Sequence, residues 1–331
     1  MVRVLSTRQR CRSRKRLPIP MSADKNGFWL SLPVFADGAS LSDFLAERLS
    51  AGHQAVLDDL FSQQCIYLDD LAASPQQHIH AGQSVRLFLP EHQEEAVDTG
   101  WQLLWENSEM MAVFKPHLLP VSRTTRNLYN TLISLIRRET PYVRAHLLHR
   151  LDTETAGVML VAKNSEADKK WKPKLDQLIS RKIYHAWVDG SPQWEELLFE
   201  CELSVKTGSA IRSQVYVVDP QCLDLFPKPK LSKTGFKVLL RDAGKTLIEC
   251  QLFTGRKHQI RAQLAHLGHP VIGDKVYAHQ GNYYLKRIDE GLSKDDLHTL
   301  GSPFHCLTAV KLCLQGGVVI ELPASVKPIR P

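Results

Sequence analysis

The sequence predicts an α+β fold on a largely antiparallel sheet, preceded by a small α/β module, and three observations predict it. Over residues 101–322, short apolar or alternating runs outnumber helical patterns and do not alternate with them regularly, which disfavours a doubly wound parallel sheet. Residues 37–95 carry their own order, two helical patterns and then two short strand runs. The charge changes between segments as well: residues 1–20 hold seven bases and no acid, 21–95 three bases against eleven acids, and 96–331 32 bases against 24 acids. The expected organisation is a basic tail over 1–20, a module over 21–95 and a chemistry-bearing body over 96–331.

The tail ends at Pro18-Ile19-Pro20 and cannot bury a core, so disorder is expected there. Met21 opens a more ordinary sequence, and the tail reads equally well as a loose electrostatic arm or as sequence upstream of the true start. In the module, Leu41, Phe44, Leu45 and Leu49, then Val56, Leu57, Leu60 and Phe61, have helical spacing, and Cys65–Leu68 and Val85–Leu89 read as strands. In the body, strands are expected at Leu103–Trp105, Met111–Phe114, Val158–Ala162, Tyr184–Asp189, Gln214–Val218, Phe236–Leu240, Thr246–Phe253 and Cys306–Leu314. Helices are expected near 127–138, 165–180 and 257–267, the last opened by Thr254 and Gly255 and closed by Gly268 with Pro270 just beyond.

Composition excludes several classes. A chain of 331 residues, 43% hydrophobic, can bury an ordinary core without staples. Seven cysteines without a CxxC pair indicate neither a zinc site nor a disulfide framework, and a reduced, cytoplasmic setting is expected. No apolar run nears the ~18 residues that span a bilayer, and no signal-peptide core follows the N-terminal charges. No GxGxxG or GxxxxGK[ST] occurs, so no nucleotide cofactor is expected. His146 and His149, like His266 and His269, are spaced i, i+3, but no acid or cysteine completes a ligand set, so no metal is expected. There is no internal repeat. The net charge of +7 fits a phosphate-bearing partner, because clustered Lys and Arg bind by counterion release.

The most informative segment is His149-Arg150-Leu151-Asp152, with Thr155 and Gly157 ahead of the apolar run Val158–Val161. It fixes an acid beside an arginine in a loop feeding a buried strand, the setting of a nucleophile or base. Ordinary turn and capping chemistry is the plain alternative. Two further blocks shift the balance: Thr254 to Tyr277, containing His258-Gln259-Ile260-Arg261, and Arg181 to Gly190, containing Tyr184. With a looser fourth block, Lys115-Pro116 through Val121, these resemble the RluA family of RNA pseudouridine synthases over about residues 100–322.

The resemblance implies a bent sheet with a central cleft and an RNA uridine isomerase that needs no cofactor. It implies that Asp152 is the essential carboxylate, acting covalently or as a base toward the ribose, and that Arg261 pairs with it and keeps it charged. It implies that Tyr184 stacks on the uracil and accepts the C5 proton, and that Arg150 fills the stack a flipped uridine leaves. On spacing alone Arg261 would be a surface helix residue and Tyr184 a core tyrosine. Ala156 stands where the family commonly has serine or threonine, and Leu118 where it has glycine. The module's order is similar to the S4 RNA-binding module, but Asp43, Glu47, Asp58, Asp59, Asp69 and Asp70 outnumber Arg48 and Arg86, so weak or redirected binding is expected. The expected partner is ribosomal or transfer RNA, with no membrane and no second copy. The rivals are a non-catalytic RNA-binding or RNA-folding protein on the same scaffold, and an Asp/His phosphoesterase, which would need more acids or metal ligands. Substrate choice is assigned to no motif, and Ser204–Pro229 is the least familiar segment.

Overall fold

The computed structural model describes residues 27–47, 57–90, 94, 96–124, 127, 129–323, 326 and 331. The expected disordered tail 1–20 and the helical positions Leu49 and Val56 lie outside them. The chain divides into two units, Met1–Gln93 and Glu94–Pro331.

The first unit is a four-stranded antiparallel sheet in the order β1-β4-β2-β3, with β1 Gly27–Pro33, β2 Ile66–Leu68, β3 Leu71–Ala72 and β4 Ser84–Pro90. Helix α1, Leu41–Ala46, starts where the Ser40 hydroxyl accepts from the Asp43 N–H, and α2 is Leu57–Ser62. Leu41, Leu45, Leu60, Ile66, Val85 and Leu87 fill the core. Strand β1 has no counterpart in the sequence reading; it is an edge strand ending at a proline, the place where proline is tolerated.

The second unit is α+β. Its sheet has eleven strands, nine of them in the order β11-β10-β12-β13-β9-β14-β8-β6-β5, with β7 on β8 and β15 on β14. The strands are β5 Gln102–Glu106, β6 Met110–Lys115, β7 His146–Leu147, β8 Ala156–Ala162, β9 Ile179–Asp189, β10 Glu196–Ser204, β11 Tyr216–Val217, β12 Lys230–Asp242, β13 Lys245–Leu252, β14 Leu307–Leu314 and β15 Val319–Glu321. Every strand pair is antiparallel except β14 with β8.

Strands β6 and β8 are buried on both faces. One face meets α3, Leu132–Glu139, through Met111, Val113, Met159 and Val161. The other carries Met110, Ala112, Leu160 and Ala162, against α4, Ser165–Trp171, and α5, Leu175–Leu178. The expected single helix over 165–180 is therefore two short helices joined by a 3-10 turn at Lys172–Lys174; Pro173 interrupts the hydrogen bonding, and Ile179 already pairs with Leu314 in the sheet.

Helix α6, Gln259–His266, lies over β12, β13 and β9, with Ile260 and Leu264 packed on Phe236, Ile248 and Cys250. Gly268, at φ +85°, closes it, but it opens at His258, in the left-handed region at φ +56°, and not at Thr254. Thr254 Oγ1 instead donates to Gln259 Oε1, 2.8 Å away, and accepts from the Lys233 N–H. Helices α7, Asn282–Asp289, and α8, Lys294–Leu300, follow. The expected strand at Gln214–Val218 shrinks to the two residues of β11, paired with the end of β10.

The parallel pairing of β14 with β8 positions the loop carrying Asp152. Gly157 lies opposite Ala309 with φ +125°, and a built Cβ would stand 2.2 Å from the Ala309 carbonyl oxygen. No L side chain fits that approach or adopts that φ readily.

Candidate active site

Asp152 lies in the 148–155 loop that leads into β8 and faces a cavity of about 740 Å³. Its side chain is 30% exposed. Arg261, in the first turn of α6, enters the same cavity with a side chain only 6% exposed. The Arg261 guanidinium uses both edges: Nη1 donates to Asp152 Oδ2 at 2.7 Å, while Nε and Nη2 grip both oxygens of Asp274 at 2.6 and 2.8 Å. Asp274 is fully buried and also accepts from the backbone N–H groups of Val276 and Tyr277. A fixed carboxylate thus holds the arginine, which in turn meets Asp152. Gly273 lets the chain turn here at φ +80°, where a built Cβ would stand 2.1 Å from the Phe304 carbonyl oxygen.

The electrostatics follow from these contacts. Burial pushes the Asp152 carboxyl upward, and the Arg261 charge, with lesser help from His258 and His305, more than reverses this and holds it at about 2. Asp152 is an anion at every physiological pH. Burial also pushes His258 down to about 4 and His305 well below its ordinary value, so both imidazoles are neutral at pH 7. His258 Nε2 stands 3.9 Å from Asp152 Oδ2, and its Nδ1 is 3.1 Å from the Tyr277 hydroxyl, which accepts from the Val215 N–H. Tyr277 thereby ties His258 to the Ser204–Pro229 segment.

A second network fixes the loop from below. Glu154 accepts from Lys275 Nζ at 3.0 Å, from Arg287 Nη1 at 3.4 Å and from the His305 N–H at 3.1 Å. Thr155 Oγ1 is 2.7 Å from His305 Nε2. Lys115 is wholly buried, and its Nζ donates to the carbonyl oxygens of Pro116, Leu119 and Thr153 at 2.8, 2.9 and 2.9 Å, tying the Lys115–Val121 block to the Asp152 loop. Burial draws its pKa down to about 7, yet three acceptors match the three N–H bonds of the ammonium form. His149 Nε2 accepts from the Leu160 N–H and latches the loop to β8.

Tyr184 lies on β9, half-buried between the core under α3 and the core under α6, and its ring lines the cavity. Burial, and then the Asp152 charge, raise its pKa, so the resting phenol keeps its proton. Arg150 is exposed at the cavity mouth, and no hydrogen bond or ion pair holds its guanidinium among the described residues. Asp152, Tyr184, Arg261 and Arg150 therefore share one cavity. No cluster of metal-binding side chains occurs among the described residues.

Residues 109–266 match the family model described as RNA pseudouridylate synthase. Over 264 residues, 77% of this chain and 73% of the relative, the sequence is 29% identical to a ribosomal large subunit pseudouridine synthase D of Nitrosomonas europaea. Over these spans the chain is similar to RNA pseudouridine synthases, in keeping with the resemblance of its motifs to the RluA family. Like other pseudouridine synthases it is an isomerase that converts uridine in RNA to pseudouridine. A tRNA pseudouridine(31) synthase of Saccharomyces cerevisiae is 30% identical over 202 residues, 57% of this chain and 49% of that one. The human RNA pseudouridylate synthase domain containing 1 protein shares the fold, at TM-score 0.55 and 21% identity over 71% of this chain and 88% of that one. No described helix is long and apolar enough to cross a membrane.

Sequence reasoning missed Asp274, His258 and the Glu154–Lys275 pair as parts of the site. Asp274 and His258 sat in the Thr254–Tyr277 block, and the signal for Asp274 was an acid directly after a glycine in an otherwise apolar run. The contacts of Glu154 join residues more than a hundred positions apart and leave no local signature.

Proposed function

We propose that Asp152 is the catalytic group and that the synthase acts on a flipped-out uridine of ribosomal or transfer RNA. In the isomerisation the N1–C1′ bond breaks, the C5–C1′ bond forms, C5 loses a proton and N1 gains one, so no oxidant or energy donor is needed. Asp152, ionised and presented to the cavity, either attacks C1′ or removes a ribose proton. Arg261 keeps it charged and aimed. Tyr184 offers its ring face to the uracil; to accept the C5 proton, its phenol must pass on its own proton in the same step, because the resting group is protonated. Arg150, exposed and unheld, is suited to take the place of the extruded base, which leaves the stack at a cost of a few kcal/mol.

The observation that carries this reading is the Asp274–Arg261–Asp152 chain, which ends at the one carboxylate of the three side chains that opens to the cavity. The relatives' names support the substrate class, ribosomal or transfer RNA. The N-terminal unit, with its two described helices and acidic surface, is read as an S4-like module that contributes little to holding RNA, and the protein as a monomer. The test is release of tritium from RNA labelled at uridine C5. Asp152→Asn is expected to abolish release while RNA binding persists; release at the wild-type rate would refute the role.

A further inference from the structure

The cations of the cavity differ in one respect. Of those that line it, Arg150, Arg256 and Lys257 are exposed, and the more buried Arg261, Lys275 and Arg287 have acceptors inside the protein. Lys182 does not. It lies on β9 two residues before Tyr184, so both side chains leave the same face of the strand. Its side chain is 16% exposed and lines the cavity. Its neighbours across the ladders are Leu252 on β13 and Leu312 on β14, which offer nothing polar. The carboxylate facing it, Asp176 Oδ1, is 4.0 Å away on a side chain 98% exposed, too distant and too solvated to be a partner. His149 is neutral, and its Nε2 is already occupied by the Leu160 N–H. Among the described residues no hydrogen bond holds the Lys182 ammonium. A built Cβ on Gly255 would still stand 4.0 Å from Nζ, so the approach from the facing turn is open.

A desolvated ammonium without an acceptor is unfavourable until an anion reaches it. Lys182 is roughly 7 Å along the strand from Tyr184, past a base stacked on that ring and at the reach of that nucleotide's own phosphate. We propose that Lys182 is a substrate-binding residue whose ammonium takes a backbone phosphate adjoining the target uridine, which sets how deeply the flipped nucleotide seats. This rests on the reading given under Proposed function. Lysine suits the task as a compact point charge with three rotatable donors.

The test uses full-length protein and RNA oligonucleotides bearing a uridine that the protein modifies, made with natural linkages or with a neutral methylphosphonate on the 5′ or the 3′ side of it. Lys182→Met is expected to weaken binding about tenfold, with the single-turnover rate at saturation nearly unchanged. Its slope of log affinity against log salt should be lower by about 0.7. A methylphosphonate at one of the two positions should weaken the wild type equally and Lys182→Met no further. Lys182→Met should melt no lower than the wild type, since it removes an unpaired charge, and Lys182→Arg should keep the salt slope. If wild type and Lys182→Met respond alike to both methylphosphonates, or the loss lies only in the rate at saturation, the proposal is overturned. If the wild type forms no pseudouridine in any natural RNA, it is the underlying reading that fails.

Discussion

Replacing Gly157 by alanine would drive a methyl group into the backbone of β14. The added Cβ would meet the Ala309 oxygen at 2.2 Å, its nitrogen at 2.5 Å and its carbonyl carbon at 2.7 Å, where about 3.5–4.0 Å is the comfortable separation. These are main-chain atoms in a ladder, so β14 would have to move by about an ångström or the β8 contact would open. Overpacking of this kind costs about 1–3 kcal/mol, and holding alanine at φ +125° costs about 1–3 more. A total of about 2–6 kcal/mol lowers the melting temperature of a unit this large by roughly 10 °C. Gly244→Ala is the control: Gly244 also has positive φ, +78°, but has nothing within 4 Å, so it bears the conformational cost of about 1 kcal/mol alone. Calorimetry on both variants isolates the steric part. If Gly157→Ala melts within 2–3 °C of Gly244→Ala, on the order of 1 kcal/mol, the close approach of the two strands is not the reason for glycine here.

Asp274→Asn should lower the urea-unfolding free energy by about 3–5 kcal/mol, because Arg261 is left buried with half its charge compensation, and turnover should fall with it; unchanged stability would remove Asp274 from the account. Because Asp152 titrates at about 2 in the fold against a usual 3.8, its stabilising share, roughly 2 kcal/mol, is fully present above pH 3.8 and lost as pH falls towards 2. Carbon-detected NMR titration of the Asp152 carboxyl should find that midpoint, and one at or above 3.8 would contradict the Arg261 pairing. Leu118→Gly should stabilise by up to about 1 kcal/mol in thermal melts, because Leu118 holds φ +64° with its side chain 38% exposed. Arg150→Ala should slow modification of a paired uridine far more than of one in an open single strand; equal effects on both would count against the wedge.

The alternation of strands in the body was legible because β6, β8 and β13 are apolar on one or both faces, and burial writes itself into the sequence. Strand β10 was not, because its burial alternates only weakly: Glu196, Leu198 and Glu200 are exposed along one side. The start of β9 was hidden because Ile179–Lys182 continues the helical spacing of 165–178, and only the ladder to β14 decides the matter. In the site, Asp152 and Arg261 were legible as residue types in motifs, but spacing on α6 alone made Arg261 a surface residue. Its burial arises from Asp274, which lies thirteen residues on and past the end of the helix. Leu118 shows the reverse: the backbone keeps the left-handed φ that suits the family's glycine, so the departure changes strain and leaves the path of the chain in place.

The most direct test of the central claim, that this protein makes pseudouridine in RNA through Asp152, is a transcriptome-wide map of pseudouridine by chemical-stop sequencing in cells carrying the wild-type gene, a deletion or Asp152→Ala. The account predicts at least one uridine of ribosomal or transfer RNA modified in the wild type and unmodified in both mutants. A map identical in all three strains, or a site restored by Asp152→Ala, would contradict it.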